Sequence, residues 1–182
     1  MSSNSPCASP ANRRQALLLL GALPWAVGAQ GGLPELPGWV ARSQARMRFV
    51  GLSIYDIALW SPDAVQPARW PDQPLALALT YTRALNGRLI AERSLKEMER
   101  QGAIDAANGE RWLAGMTAAF PDVNEGDRLT GRHDPVDGAR FWLNGKPVGG
   151  SFDADFSRRF FGIWLSPQTS EASLRKKLLG LP

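Results

Sequence analysis

The sequence predicts an α+β domain, an antiparallel sheet with helices packed on one face as in an open-faced β-sandwich. Three observations predict it. Strand-like segments come first, then two helical segments, then strands, then two more helices. That order lacks the strand–helix–strand alternation of a parallel sheet. Residues 75–82 alternate bulky and small side chains with a period of two, the mark of a strand whose faces differ. The 182 residues, 44% hydrophobic and 21% charged, suit one globular domain rather than two, or a disordered chain.

The elements follow in order. Gly-Gly-Leu-Pro-Glu-Leu-Pro-Gly at 31–38 reads as an extended lead-in. Arg46 to Trp60 reads as a long strand or a strand pair, with Gly51 as a bulge or bend. Pro62, Pro67, Pro71 and Pro74 mark a loop. In the next strand Leu75, Leu77, Leu79 and Tyr81 share one face, and Ala76, Ala78, Thr80 and Thr82 share the other. The second face is small enough to leave room for a cleft above it. Ala91, Leu95 and Met98 then make a helical stripe within 88–100, with Glu and Arg outside it; Trp112, Leu113, Met116 and Phe120 make another. Strands return at 127–133 and 140–143, where Asn144-Gly145 signals a tight hairpin. Asp153 is placed to cap a helix bearing Phe156, Phe160, Ile163 and Trp164. Thr169 or Ser170 caps a last helix that Gly180 closes.

The first stretch bears on location and charge. Arg13 and Arg14 precede the apolar run 16–23, and Val27, Gly28 and Ala29 supply a small-residue cleavage site. Residues 1–29 therefore read as a secretory signal peptide, with Gln30 opening the mature domain, 30–182. The run is too short for a stable membrane span. Export by the Sec or twin-arginine route to the periplasm is expected. Cleavage would remove Arg13, Arg14 and no acid, so net charge falls from +4 to +2. The remaining Lys and Arg are scattered among acids, which gives nucleic-acid binding little support. Cys7 would leave too, and with it any disulfide, thiolate metal site or cysteine nucleophile. No cofactor is expected.

Two segments carry a family resemblance. Gly51-Leu-Ser-Ile-Tyr-Asp-Ile-Ala-Leu-Trp60 is similar to a strand of the chalcone isomerase family. So is the ordered set Phe120-Pro-Asp-Val-Asn-Glu-Gly-Asp127, Trp142-Leu-Asn-Gly-Lys-Pro-Val-Gly149, Asp155-Phe156 through Phe161-Gly-Ile-Trp-Leu165 and the closing Ser173-Leu174 through Gly180. The chain resembles that family's exported bacterial branch over most of residues 40–180. The resemblance implies a large antiparallel sheet under a layer of helices, in agreement with the order of elements.

Fold alone does not give function. The plant enzymes of the family work with an arginine, a threonine, a tyrosine and an asparagine around a cleft. Carried over, the arginine falls at Arg46 or Arg48, the threonine at Tyr55, and the tyrosine and asparagine near Asn86 and Arg93. Most of the enzymatic set is absent, which argues against chalcone chemistry. An arginine with a tyrosine resembles the family's fatty-acid-binding members, where the pair holds a carboxylate inside an apolar cavity. The resemblance thus implies a non-catalytic binder of a small apolar or amphipathic ligand, with Arg46, Arg48, Tyr55, Asn86 and Arg93 as ligand-binding candidates. A buried arginine needs an anion, and a carboxylate supplies paired, charge-assisted bonds. The bland alternative pairs Arg46 and Arg48 with Asp56 or Glu92 and packs Tyr55 in the core. An isomerase or intramolecular lyase using the same cleft, and a partner protein whose cleft is filled by its own side chains, are the other readings.

Other constellations carry less. His133 beside Asp134 lacks a nucleophile elbow, so it reads as structural. Asp122, Asn124, Glu125 and Asp127 lack the distal glutamate of a calcium loop. Phe160 and Phe161 beside Arg158 and Arg159 read as a buried helix with a charged edge rather than a membrane contact.

Overall fold

The structure is a computed structural model that describes Met1 and residues 32–182. The expected signal segment, its cleavage site and Cys7 lie outside the described residues. Six antiparallel strands form one meander in sequence order: β1 (Val40–Phe49), β2 (Leu52–Ser61), β3 (Leu75–Tyr81), β4 (Arg128–Asp134), β5 (Gly138–Leu143) and β6 (Lys146–Phe152). Four helices accompany them: α1 (Gly87–Glu99), α2 (Ala106–Ala119), α3 (Ala154–Leu165) and α4 (Ala172–Leu179). This is the α+β class read from the sequence. The stretch 46–60 is a strand pair, and Gly51 belongs to its turn rather than to a bulge.

Period-two alternation decides which face of the sheet the helices cover. Leu75, Leu77, Leu79 and Tyr81 point into the main core, where they meet Met98, Trp112, Met116, Phe156, Phe160 and Phe161. Phe141 lies among Phe120, Phe152, Phe156 and Phe160 with ring centroids 5.0–6.4 Å away, mostly edge to face. Ala76 and Ala78 point the other way and pack under Leu33, Leu36 and Trp60.

The lead-in is thus not extended. Leu36 N–H bonds to the Leu33 carbonyl at 2.8 Å and Trp39 N–H to that of Leu36 at 3.1 Å, and these turns fold over the small-residue face. The Glu35 side chain is fully buried there, accepting from Thr130 Oγ1 at 2.8 Å and Arg128 at 3.2 Å. The room expected above Ala76 and Ala78 is largely taken by the lead-in. A hollow of about 290 Å³ remains beside it, lined by Ala78, Thr80, Asp56 and Arg128, so part of the expected room persists.

Caps and stops follow local chemistry. Asp153 Oδ1 accepts from Phe156 N–H at 2.7 Å, as expected of an N-cap. Gly180, at φ +62°, closes α4. The N-cap of α4 is Glu171, without a side-chain bond; Thr169 Oγ1 instead accepts from Glu171 N–H at 3.0 Å. His133 is buried between layers. Its Nε2 faces the Pro71 carbonyl at 2.9 Å, an acceptor only, so Nε2 carries the proton and Nδ1 accepts from the Ser157 hydroxyl at 2.6 Å. With both nitrogens inside the core, this dyad ties β4 to α3 and to the loop before β3.

Candidate functional site: a cavity between sheet and helices

The more apolar cavity forms on the bulky face, whereas the small face expected to carry the cleft keeps only the more open and more polar hollow. The physical reason is where α1 rests. It packs chiefly against α2 and α3, not against the strands. A wedge stays open between α1 and the free ends of β1, β2 and β3. Its volume is about 300 Å³, at the small end of the range for ligand sites. Met47, Ile54, Leu79, Leu85, Ile90 and Phe160 give it apolar walls.

Its polar groups gather at one side. Trp164 Nε1 donates to the Tyr55 hydroxyl at 2.9 Å. Tyr55 stacks edge-on to Tyr81, centroids 5.9 Å apart. Loss of hydration drives the Tyr55 hydroxyl above its ordinary range, so it stays protonated. Glu97 is buried on α1, and its carboxylate is fully engaged. Oε1 meets Arg93 at 2.7 Å; Oε2 accepts from Ser170 Oγ at 2.7 Å, with Arg100 at 3.6 Å. A buried carboxylate needs that much company. Glu171 also lines the cavity, and burial, then the Glu97 charge, raises its pKa against the pull of Arg93.

The five residues named from the sequence divide. Tyr55, Asn86 and Arg93 line the cavity together. Arg46 does not: it forms a two-point ion pair with Asp56, 2.6 and 2.7 Å, on the outer face of β1 and β2. That hydrogen bonding depresses the Asp56 pKa. Arg48 is exposed and also stands outside the lining. The residue opposite Tyr55 in the ladder is Met47, and Met47 faces inward. A clamp of Tyr55 with Arg46 or Arg48 is therefore corrected: Met47 takes the inward place on β1, and the arginine that shares the cavity with Tyr55 is Arg93. Asn86 keeps its polar atoms for the fold: Oδ1 caps Leu89 N–H at 3.2 Å and Nδ2 donates to Asp122 at 2.9 Å. Arg93 is half-exposed at the rim, already bonded to Glu97.

Met47, Ser94, Glu97, Trp164 and Glu171 are the cavity residues that sequence reasoning missed. Leu95, expected in the helical stripe, is less buried than Ser94 and Glu97. Glu97 stands four residues after Arg93, a spacing that predicts their ion pair. A register shift between Met47 and Arg48 puts Met47 opposite Tyr55, which the position of the Val50-Gly51 turn alone does not reveal. Of the weaker constellations, Asp127 Oδ2 accepts from Asn124 N–H at 2.7 Å and Asp122 holds Gly87 N–H at 2.8 Å, so both organise backbone turns. Phe160 and Phe161 are core residues.

Comparisons with known proteins agree with the architecture. A protein of Haemophilus influenzae, uncharacterized, is 31% identical over 142 residues, which span 78% of this chain and 68% of that protein. Among solved structures, a fatty-acid binding protein of Arabidopsis thaliana superposes with a TM-score of 0.59. It covers 79% of this chain and 87% of its own, at 11% identity, a likeness of fold alone. The family model described as chalcone isomerase-like matches residues 40–180, from the first strand to the cap of the last helix. With all six strands and four helices so matched, the chain belongs to the chalcone isomerase-like family.

Proposed function

We propose that this protein is a non-catalytic binding module for one small apolar or amphipathic ligand, with fatty acids as the first class to try. The observation that carries the reading is the apolar cavity of about 300 Å³ under α1, which no aromatic ring among the described residues fills. Its walls would hold an alkyl chain at ~0.8 kcal/mol per buried methylene. Tyr55 and Arg93 are the hydrogen-bond donors for a ligand head group. The Arabidopsis neighbour's description as a fatty-acid binding protein supports the choice of ligand. The side chains leave little for acid–base work: Tyr55 is held protonated, Glu97 is tied up in ion pairs, and no histidine or cysteine among the described residues lines the cavity, so Glu171, whose pKa burial raises, is the one carboxyl an isomerase or lyase reading would rest on.

The reading includes export. The Arg13-Arg14 start and the apolar run 16–23 support a cleaved signal and a periplasmic site of action. The mass of the protein recovered from the periplasmic fraction tests it, with cleavage expected after Ala29.

The binding test is a titration with a medium-chain fatty acid, followed by tryptophan fluorescence, since Trp164 stands in the wall. Saturation at one ligand per chain is expected. Ser94→Phe, which puts a ring into the cavity, should abolish it while the far-ultraviolet circular dichroism stays unchanged. Binding that survives Ser94→Phe would place the ligand elsewhere.

A further inference from the structure

The turn between β1 and β2 is built against the interest of the isolated fold. Val50 and Gly51 have φ of +49° and +80°. A β-branched residue in that region is strained, and hairpins use Asn, Asp or Gly there. Val50 is also 85% exposed, and its neighbours Phe49 and Leu52 are each 55% exposed. Leu89, on the first turn of α1, is 62% exposed. Phe49 and Leu89 both line the cavity, so the apolar patch forms its lip. Apart from Met1, the large exposed hydrophobics elsewhere among the described residues are Val40 and Val136. Isolated cases of that kind are ordinary; a strained cluster is not.

The tip segments themselves carry only positive charge, although Asp122 holds the start of α1 through Asn86 and Gly87 and Glu171 lies in the cavity wall. Residues 47–55 and 81–90 meet at this end of the sheet, where Tyr55 pairs with Tyr81 and Thr82 N–H bonds to the Ile54 carbonyl at 3.0 Å. They contain Arg48, Arg83 and Arg88 and no acid. Arg88 bonds Glu92. Arg48 and Arg83 are exposed and form no salt bridge among the described residues. An apolar tip with two such exposed arginines on its segments complements an anionic lipid surface: the tip enters the headgroup boundary and the arginines meet phosphates.

We infer that the Phe49–Leu52 hairpin tip, with Leu89, Arg48 and Arg83, docks this protein on anionic membranes with the mouth of the cavity against the lipid. The docking surface stands on its own residues; only its use for loading the cavity rests on the binding function proposed above.

The test is co-sedimentation of the protein, as purified from producing cells, with vesicles of phosphatidylglycerol in phosphatidylcholine, against phosphatidylcholine alone. The variants are Val50→Asn and Arg48→Ala. Val50→Asn suits the turn, so it folds at least as well as the native chain. Binding to the anionic vesicles is expected, about tenfold weaker for Val50→Asn and about fivefold weaker for Arg48→Ala. Fatty-acid binding in free solution is expected to survive both, which separates failure of docking from failure of the cavity reading. Absence of vesicle binding, or equal binding by all three proteins, would overturn the inference. So would a dimer in sedimentation velocity that Val50→Asn dissolves, because the tip would then be an interface between two copies.

Discussion

Two hairpin turns in this molecule share one pair of positive φ angles and a second-position glycine, and differ in the residue before it and in what that residue touches. Asn144-Gly145, between β5 and β6, has φ of +50° and +80°; Val50-Gly51, between β1 and β2, has +49° and +80°. The first uses residues suited to that geometry. Asn144 also fastens the turn to the domain, its Oδ1 accepting from Arg128 N–H and its Nδ2 donating to Asp127, both at 2.8 Å. The second places an exposed valine where the backbone is strained. One turn is explained by folding. The other is explained by what lies outside the fold, at the mouth of the cavity.

Exchanging the chemistry of the two turns is the sharpest way to break this comparison. Asn144→Val should destabilise the domain by about 2–3 kcal/mol through strain and lost hydrogen bonds, lowering Tm by roughly 5–10 °C. Thermal unfolding checks it; a loss under 1 kcal/mol would make the two turns equivalent. Next in size is the pH dependence set by His133, which is fastened inside the fold as Asn144 is. Burial lowers its pKa from the usual 6.5. Between that lowered value and 6.5 the unfolded chain binds more protons than the folded one. Stability should therefore be level above about pH 7 and fall as pH drops below 6.5, by at most about 1.4 kcal/mol per pH unit. Urea unfolding from pH 5 to 8 reads this, and a flat profile would contradict the buried neutral tautomer. Smaller and opposite in sign, Val50→Asn should stabilise by about 1 kcal/mol, as relief of a strained turn does. Smallest is Arg48→Ala, which should leave fatty-acid affinity in free solution unchanged, because Arg48 stands outside the cavity.

Much of the fold was legible because its signals are local. The alternation of 75–82, the Asn144-Gly145 turn and the Asp153 cap each depend on a few neighbouring residues. The sheet face chosen for the cleft was misjudged because side-chain size along β3 says nothing about where α1 comes to rest. That is a tertiary matter, settled by packing of α1 on α2 and α3. Tyr55 and Arg93 were legible as cavity residues through resemblance. Met47 was not, because the resemblance leaves the register between Arg46 and Arg48 open, and a single-residue shift moves a side chain to the other face. Glu97 escaped notice because a buried charged side chain looks, in sequence, like any solvent-facing one until its partners on other segments are known.

The central claim is that the cavity under α1 holds a small ligand, and native mass spectrometry of protein purified gently from producing cells tests it most directly. One noncovalent adduct of a few hundred daltons per chain is predicted for the native protein and not for Ser94→Phe. A bare mass that gains nothing from a panel of fatty acids and aromatic acids would contradict it.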